Sequence, residues 1–366
     1  MKSSKKVFVA VTNDVSTDQR VHKVCTYLIE KNFEVEVYGR VLPDTFKVNR
    51  DYKIIRKQHL FNNNFLFYAE FNIRLFFYLL FRKFDYILSN DLDTLSACYL
   101  ASKLKRTELV YDSHEYFTET PELQGRKFVQ GFWKFIESRI LPRLQKMIAV
   151  SQPIVDVYHN KYKIDVKLLR NLPNLNREVV TESVSFPTKN KVILYQGVLN
   201  PGRGIKPMID ALHHLKNIDL VIIGFGKVKD DLISYVKEQG LERRVHFLGR
   251  IAYEKLPNYS KIADVGMVLE EPLGKSFEFS LPNKLFDFIH SGLPIIASPL
   301  VEVKKIIEKY EVGLVIDNYN PEHIASVIKK LIYDKELRVE IKNNQEKCKK
   351  ELSWESNIKV LDLFFK

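Results

Sequence analysis

The feature that most constrains this chain is a regular alternation of short, β-rich apolar runs with longer amphipathic segments along its 366 residues. Segments such as 95–104, 207–215 and 229–239 repeat their apolar residues at helical spacing. The apolar runs of the first half lie at residues 7–12, 34–38, 86–88, 108–111 and 147–150. Alternation of this kind predicts parallel β-sheets covered by helices on both faces.

The alternation pauses once, at 171–176 and in the polar run 177–190. It restarts with apolar runs at 192–195, 220–223, 245–247, 265–269, 294–297 and 313–316. A chain of this length suits two domains of roughly 150–200 residues, so we place the boundary near residue 175. The predicted fold is α/β, with two doubly wound domains facing each other and ligands bound in the cleft at the carboxyl ends of the strands.

The charge balance favours an anionic partner. Lys and Arg number 57 against 45 Asp and Glu, a net charge of +12, which suits phosphate, nucleic acid or an acidic lipid surface. Cys25, Cys98 and Cys348 lie too far apart for a disulfide framework, and a reducing cytosol fits best. We expect no membrane-spanning segment, since no run approaches the roughly 20 uncharged residues required.

Two polar segments of the first half have competing interpretations. Ser16, Thr17 and Asp18 suit the N-cap of the next helix, but the helix start also offers N–H groups to an anion. Arg20 opposes the helix dipole there, so a functional contact is an equal alternative. Asp91 and Asp93 have a spacing by which some sugar-transferring enzymes hold a metal; capping of the next helix by Asp93 and Thr94 is the favoured interpretation.

His114 is the strongest candidate of the first half. It follows the apolar run 108–111 and is flanked by Asp112 and Glu115. In this fold class the carboxyl end of a strand borders the cleft, which favours a functional site over a packing role. A Gly-x-Ser-x-Gly sequence, typical of hydrolase triads, is absent from the chain.

The second half carries loops suited to phosphate. Gly197, Gly202 and Gly204 surround Arg203 between an apolar run and a helical segment, and Gly224 and Gly226 form a second turn. Glycines allow close backbone approach, and arginine adds a bidentate donor. A third segment, 269–297, places Gly274 and Lys275 before a helix that carries Lys284 and Asp287.

Together these motifs resemble a retaining glycosyltransferase of family 4, which has the GT-B fold of two facing Rossmann-like domains. The resemblance rests on Tyr111-Asp-Ser-His-Glu, Tyr195-Gln-Gly with Pro201-Gly-Arg-Gly, Phe247-Leu-Gly-Arg-Ile, and Leu281-Pro-Asn-Lys-Leu-Phe-Asp with Ser291-Gly-Leu-Pro-Ile.

The resemblance assigns a role to each part of the chain. Residues 1–174 would bind the acceptor and residues 175–349 a nucleotide-sugar donor, while 350–366 would form a helix crossing back onto the first domain. Arg203, with Lys284, would neutralise the diphosphate, and His114 would contact the transferring sugar. The candidate donor contacts include Gly197, Gly202 and Glu278. Gly249, Arg250 and Ile251 would line the base, Leu273, Gly274 and Lys275 would lie beside the sugar, and Asp287 would contact the ribose. The candidate acceptor contacts are Asp18, Arg20, Asp91 and Glu115.

Two positions depart from the family pattern. Of the usual pair of glutamates, Asp287 fills the second place and Phe279 the first, so the adjacent Glu278 is a candidate substitute. The usual arginine after the first loop glycine is replaced by Val198. Neutralisation of the diphosphate must therefore depend on Arg203, Lys284 or another cation.

The resemblance implies transfer with retention to a glycan acceptor in surface polysaccharide synthesis, and we expect this acceptor to be lipid-linked. No cofactor or metal is expected, because cations and helix N-termini can stabilise the leaving diphosphate. A nucleotide-sugar epimerase of the same fold is the nearest alternative. A basic nucleic-acid-binding module is another, but base-reading motifs are absent.

Two aromatic segments predict a cytoplasmic protein attached to the inner face of the membrane. Residues 61–84 contain ten aromatic residues, and 124–146 combine four with six basic residues against one acid, Glu137. Apolar rings and cations together are typical of helices that lie on an anionic membrane. Core packing must account for about half of the aromatics, but it does not explain the excess of cations.

Overall fold

The computed structural model describes residues 4–16, 18–42, 49–176 and 182–366. Thr17 and the start of the polar run 177–190 lie outside these residues. The chain forms two compact units, Met1–Asn171 with Asn357–Lys366 (unit 1) and Leu172–Ser356 (unit 2). The predicted boundary near residue 175 lies close to the junction between them.

Unit 1 is built on a seven-stranded parallel sheet of order β3-β2-β1-β4-β5-β6-β7. Its strands are β1 (Lys6–Ala10), β2 (Glu34–Arg40), β3 (Lys53–Lys57), β4 (Tyr86–Asn90), β5 (Glu108–Ser113), β6 (Met147–Ala149) and β7 (Val166–Leu168). Its helices are α1 (Gln19–Glu30), α2 (Asn64–Leu80), α3 (Leu92–Lys105), α4 (Lys127–Ile140) and α5 (Gln152–Tyr162). Phe8 and Tyr38 of the sheet pack against Phe71 and Leu75 of α2 in a core that also includes Cys98 of α3.

Unit 2 is built on a six-stranded parallel sheet of order β10-β9-β8-β11-β12-β13. Its strands are β8 (Lys191–Gln196), β9 (Ile218–Ile223), β10 (Val245–Gly249), β11 (Val265–Val268), β12 (Ile295–Ala297) and β13 (Gly313–Val315). Its helices are α6 (Ile205–Ala211), α7 (Lys229–Glu238), α8 (Leu256–Ile262), α9 (Lys275–Glu278), α10 (Asn283–Ser291), α11 (Val301–Tyr310), α12 (Pro321–Tyr333), α13 (Lys335–Cys348) and α14 (Trp354–Asn357).

The sheet of unit 2 is buried on both faces, as its continuous apolar strands predict. Ile193 and Tyr195 of β8 point into one core cluster, and Val192 and Leu194 into the other. This is the period of two that a strand imposes on its side chains. The two α/β units confirm the predicted fold class.

The end of the chain differs from the single helix predicted over 350–366. Its α-helical part is α14, and a 3₁₀ segment, Ile358–Leu363, follows. The chain enters unit 1 at Asn357. Phe365 packs its ring 5.3 Å from that of Tyr86, and the Tyr86 hydroxyl donates to the carbonyl of Lys366 at 2.8 Å.

Candidate functional site

Each sheet reverses its strand order at one point, between β1 and β4 in unit 1 and between β8 and β11 in unit 2. Loops leave the two neighbouring strands in opposite directions there, so the carboxyl edge of the sheet opens into a crevice. Most of the predicted polar and glycine residues follow strands at these two points. The two crevices are described separately below.

In unit 1, His114 lies among acceptor groups from β4 and β5. Its Nδ1 is 3.4 Å from Oδ2 of Asp91, and its Nε2 is 3.4 Å from Oδ2 of Asp112 and 3.1 Å from Oδ1 of Asn90. Burial opposes the charged ring, but the carboxylates of Asp91 and Asp112 raise the pKa of His114 to about 9. The ring is therefore an imidazolium at neutral pH, with 17% of its side chain exposed.

Arg20 is buried beside this cluster. Its Nε and Nη2 donate to the two carboxylate oxygens of Asp112 at 2.9 and 2.7 Å, and its Nη1 donates to the carbonyl of Leu169 at 2.8 Å. Burial raises the pKa of Asp112, but Arg20 and His114 outweigh it and hold that pKa well below its usual value. We therefore revise the predicted acceptor contact of Arg20, because its guanidinium fixes Asp112 instead.

Asp91 occupies the N-cap position of α3 with φ 58° and ψ 168°. Only glycine adopts this region readily, so the position is strained. The Asp91 side chain makes no capping hydrogen bond, and its Oδ1 accepts from the backbone N–H of His114 at 2.8 Å. The predicted capping role of Asp93 is wrong, because Oδ2 of Asp93 accepts from the Thr12 hydroxyl at 2.5 Å.

The other oxygen of Asp93 is buried without a partner among the described residues. Burial, and then the neighbouring Asp91, raise the pKa of Asp93 to about 7. Burial is also the main cause that raises the pKa of Asp91. It likewise raises the pKa of Glu115 to about 8. Asp93 and Glu115 therefore hold their protons closer to neutral pH than ordinary carboxyl groups do, and such groups can both donate to and accept from hydroxyl groups.

Asp18 takes the capping role that the sequence left open. Its Oδ1 accepts from the backbone N–H of Val21 at 2.9 Å, and its Oδ2 accepts from the side-chain amide of Asn13 at 2.6 Å. Both oxygens thus hold the loop that follows β1. Of the predicted acceptor residues, Asp91 and Glu115 lie around His114, whereas Asp18 and Arg20 support the loops.

In unit 2, three of the predicted glycine turns lie side by side. The N–H of Gly197 donates to the carbonyl of Ile223 at 2.9 Å, and the N–H of Gly224 donates to that of Gly249 at 2.8 Å. A Cβ on Gly224, which has φ 156°, would lie 1.8 Å from the carbonyl oxygen of Gly197. Only glycine permits this approach, which brings the turns after β8, β9 and β10 together.

The cation cluster beside these turns centres on a glutamate that the sequence analysis missed. Nζ of Lys284 lies 2.7 Å and Nη1 of Arg203 3.7 Å from Oε1 of Glu270, whose side chain is fully buried. The Lys284 ammonium also lies 3.9 Å from the centre of the Tyr195 ring. Burial lowers the pKa of Lys284 against the opposing effect of Glu270.

The Lys284 ammonium is poorly satisfied. Although paired with Glu270, it makes no hydrogen bond of good geometry among the described residues, and neither do the Glu270 oxygens. Buried ammonium groups normally have their donors satisfied. A Cβ on Gly197 would lie 3.9 Å from this ammonium, so the cation is next to the loop on which the family's usual arginine is replaced by Val198.

The loop at 273–278 borders the same cluster. A Cβ on Gly202 would lie 2.6 Å from Leu273 and 2.9 Å from Phe277, and the Arg203 guanidinium lies over the Phe277 ring at 4.8 Å. Glu278 is paired with the exposed Lys275 at 2.6 Å. The carboxylate in contact with the cations is therefore Glu270, and the predicted substitution by Glu278 finds no support in these contacts.

The predicted base and ribose contacts lie at the end of β10, on the turn after it and on helix α10. Asp287 of α10 is buried, and its Oδ1 accepts from the hydroxyl of Tyr253 at 3.2 Å. The Arg250 guanidinium lies 4.5 Å from the centre of the Phe225 ring, and Ile251 packs against the core. Gly249 has φ 71° and open space where a Cβ would lie. Tyr253 carries no motif and was not predicted.

Two family models match the chain in succession. Residues 18–175 match Glycosyltransferase Family 4, and residues 176–348 match Glycosyl transferases group 1. The chain is a family 4-type GT-B glycosyltransferase. The boundary between the two matches coincides with the junction of the two units, so each sheet of this glycosyltransferase corresponds to one matched domain.

Two relatives and one solved structure share between 16% and 24% identity with this glycosyltransferase. It is 20% identical to an alpha-D-kanosaminyltransferase of Streptomyces kanamyceticus over 67% of each chain. It is 24% identical over 57% of each chain to an N-acetylgalactosamine-N,N'-diacetylbacillosaminyl-diphospho-undecaprenol 4-alpha-N-acetylgalactosaminyltransferase of Campylobacter jejuni. The solved structure of Anabaena HepE with UDP-glucose shares the fold with TM-score 0.75 and 16% identity, over 98% of each chain.

Proposed function

We propose that this glycosyltransferase moves a sugar from a nucleoside-diphosphate sugar to a lipid-linked glycan, with retention of configuration, in surface polysaccharide synthesis. The observation that carries the proposal is the buried ammonium of Lys284 beside the glycine turns, which shares with Arg203 the one carboxylate paired with it among the described residues, Glu270. Arg203 and Lys284 are two cations on the one carboxylate that both contact, and a diphosphate would complement this excess of donors.

The rest of unit 2 supports a nucleotide. Asp287 offers a carboxylate for ribose hydroxyls, and the turn at Gly249 leaves room for a base. Anabaena HepE, which has the same fold, binds UDP-glucose. Because Lys284 and Arg203 provide the positive charge, we propose that transfer needs no metal ion.

The chemistry consists of breaking the bond between the sugar C1 and the diphosphate oxygen and forming one from C1 to an acceptor oxygen. Negative charge grows on the departing diphosphate, and fixed cations stabilise it most at that point. We propose same-face attack, in which the departing phosphate takes the proton of the acceptor hydroxyl. His114 contacts the transferring sugar, and Asp91 and Glu115 bind acceptor hydroxyls.

The acceptor class is proposed by analogy with relatives. The name of the Campylobacter jejuni relative describes transfer to a sugar on diphospho-undecaprenol, which is a membrane lipid. No helix of the described residues is long and apolar enough to span a membrane. We therefore propose that the protein works as a peripheral protein on the inner face of the cytoplasmic membrane.

The test is incubation of the purified protein with a panel of nucleotide sugars and a bacterial membrane extract. We expect a sugar transferred to lipid with its anomeric configuration retained. Release of a free epimer would indicate the epimerase alternative, and inverted linkage would contradict the mechanism. Absence of turnover with every donor, together with binding of nucleic acid, would favour the basic binding module.

A further inference from the structure

Helix α4 has an unusual outward face. Trp133, Glu137 and Ile140 are buried against unit 1. The opposite stripe consists of Phe128, Phe132 and Phe135, which are 90%, 39% and 57% exposed, followed by Arg139. A surface helix normally carries polar residues there, so three exposed phenylalanines on one stripe are unusual.

Helix α2 repeats the pattern and adjoins α4. Phe67, Phe71, Leu75 and Leu79 are buried, whereas its outward side and the turn after it carry Phe65, Leu66, Ile73, Phe77 and Phe81, each more than half exposed. The rings of Phe65 and Phe132 lie 5.8 Å apart and connect the two stripes. We call these outward side chains of α2 and α4 the aromatic face.

Cations are interleaved with these rings. The Arg82 guanidinium lies 4.4 Å from the centre of the Tyr78 ring, and that of Arg139 lies 5.2 Å from that of Phe135. Arg74, Lys83 and Lys127 add exposed basic residues to the same two helices and their ends.

The acids of both helices are turned away from solvent. Glu137, the one acid of α4, is fully buried and bonded to Thr118, Lys161 and Tyr162. Glu70, the one acid of α2, is 11% exposed and is paired with Arg74 and with the backbone of Leu60 and Phe61. The exposed charged side chains of these two helices are therefore basic.

We infer that the aromatic face docks unit 1 onto an anionic phospholipid bilayer. Rings would enter the headgroup boundary while the cations meet acidic lipids. A second copy of the chain fits less well, since a two-fold contact would bring the cations of both copies together. The inference rests on the proposed function, because a lipid-linked acceptor gives the protein a reason to bind a membrane. It adds which surface binds and which lipid charge that surface prefers.

The test is flotation of the full chain with phosphatidylcholine vesicles, with and without phosphatidylglycerol, at low salt. We expect binding to the phosphatidylglycerol vesicles and little to the neutral ones. The triple variant Phe128→Ser, Phe132→Ser, Phe135→Ser should bind at least about tenfold less. Since each cation near the surface contributes about fivefold, Arg82→Glu with Arg139→Glu should lower binding by more than about tenfold.

The matched apolar control is Val301→Ser, Tyr333→Ser, Val339→Ser, which alters three exposed side chains of unit 2 and should bind like the wild type. The proposal is wrong if the wild type does not float with anionic vesicles, if it floats equally with neutral ones, or if both variants float unchanged. It is also wrong if the wild type is a dimer that the phenylalanine variant dissociates and neither binds vesicles.

Flotation measures no sugar transfer, so its failure leaves the proposed transfer standing. Conversely, a chain that floats as expected but transfers no sugar would contradict the proposed function alone.

Discussion

At the carboxyl edge of the first sheet the charges of Arg20, Asp112 and His114 satisfy one another, whereas at that of the second sheet the Lys284 ammonium lacks well-formed hydrogen bonds among the described residues. Asp112 is held by two donors of Arg20 and lies beside His114. In the part of the chain that the structure describes, Lys284 is paired with Glu270, which it shares with Arg203. The first cluster pairs its cations internally and leaves an acceptor, Oδ1 of Asp93, without a partner among the described residues, whereas the second still has donors to offer.

The comparison shows how one topological rule serves two kinds of chemistry. Both clusters include residues that follow strands at the point where strand order reverses, such as Asp91 after β4 and Gly197 after β8. In unit 1 the residues there are mainly carboxyl groups, which suit the hydroxyl groups of a glycan. In unit 2 they are cations and glycines, which suit a diphosphate. We therefore expect substitutions in the two units to have separable effects.

The largest effect is expected from Lys284→Met. It leaves Glu270 buried without its partner, which costs about 3–5 kcal/mol of unfolding free energy. Denaturant unfolding measures this loss. Adding Glu270→Gln should recover most of it, because the unpaired charge is then removed. Lys206→Met is the control, since Lys206 also lies over a tyrosine ring, at 4.7 Å from that of Tyr235. Equal losses in both lysine variants would contradict the special role of Lys284.

Arg203→Ala is expected to have the next largest effect. Removal of a charge-assisted contact worth about 1.5–3 kcal/mol should lower kcat/KM by roughly tenfold to a hundredfold. Arg203 is partly exposed, so the fold should be retained, as circular dichroism can verify. Arg243→Ala, an exposed arginine of the same unit, should leave kcat/KM unchanged. Full activity of Arg203→Ala would exclude it as a diphosphate ligand.

The cluster of unit 1 should make stability depend on pH. The pKa of His114 rises from about 6.5 unfolded to about 9 folded. Its contribution of roughly 2–4 kcal/mol is therefore complete below pH 6.5 and lost as pH rises through 9. The pKa values of Asp93 and Glu115 are raised to about 7 and about 8, so these groups also make the unfolding free energy fall as pH rises. Unfolding free energies measured between pH 6 and 9 should fall, and fall less steeply in His114→Gln. An equal slope in both proteins would contradict the assignment.

The smallest effect is expected from metal removal. If Lys284 and Arg203 provide the charge that the departing diphosphate needs, EDTA should leave the transfer rate unchanged within about twofold. Loss of activity on chelation, with recovery on addition of Mg²⁺ or Mn²⁺, would contradict this and return a metal role to Asp91 and Asp93.

Sequence reasoning found the fold because the central strands are continuous apolar runs. It missed β3 and β7, which lie at the edges of the first sheet. Strand β3 is a half-exposed Lys-Ile-Ile-Arg-Lys, and strand β7 has only three residues. Neither strand therefore has the pattern of a buried strand.

The candidate sites were predictable where a local motif marked them, as at His114, Arg203, Lys284 and the glycine turns. The partners were not predictable, because they come from distant parts of the chain. Glu270 resembles its neighbour Glu271 in sequence, and only the fold buries it beside Lys284. Arg20 and Asp112 are 92 positions apart, so the sequence offered no reason to pair them.

The central claim is that unit 2 binds the diphosphate and unit 1 acts on the sugars. Titration calorimetry with UDP, GDP, ADP, CDP and dTDP, compared between Arg203→Ala and His114→Gln, tests it most directly. We predict that Arg203→Ala weakens binding of the preferred nucleotide at least about tenfold. His114→Gln should keep that affinity within about twofold while losing turnover. Equal loss of nucleotide affinity in both variants, or unchanged affinity in Arg203→Ala, would contradict the claim.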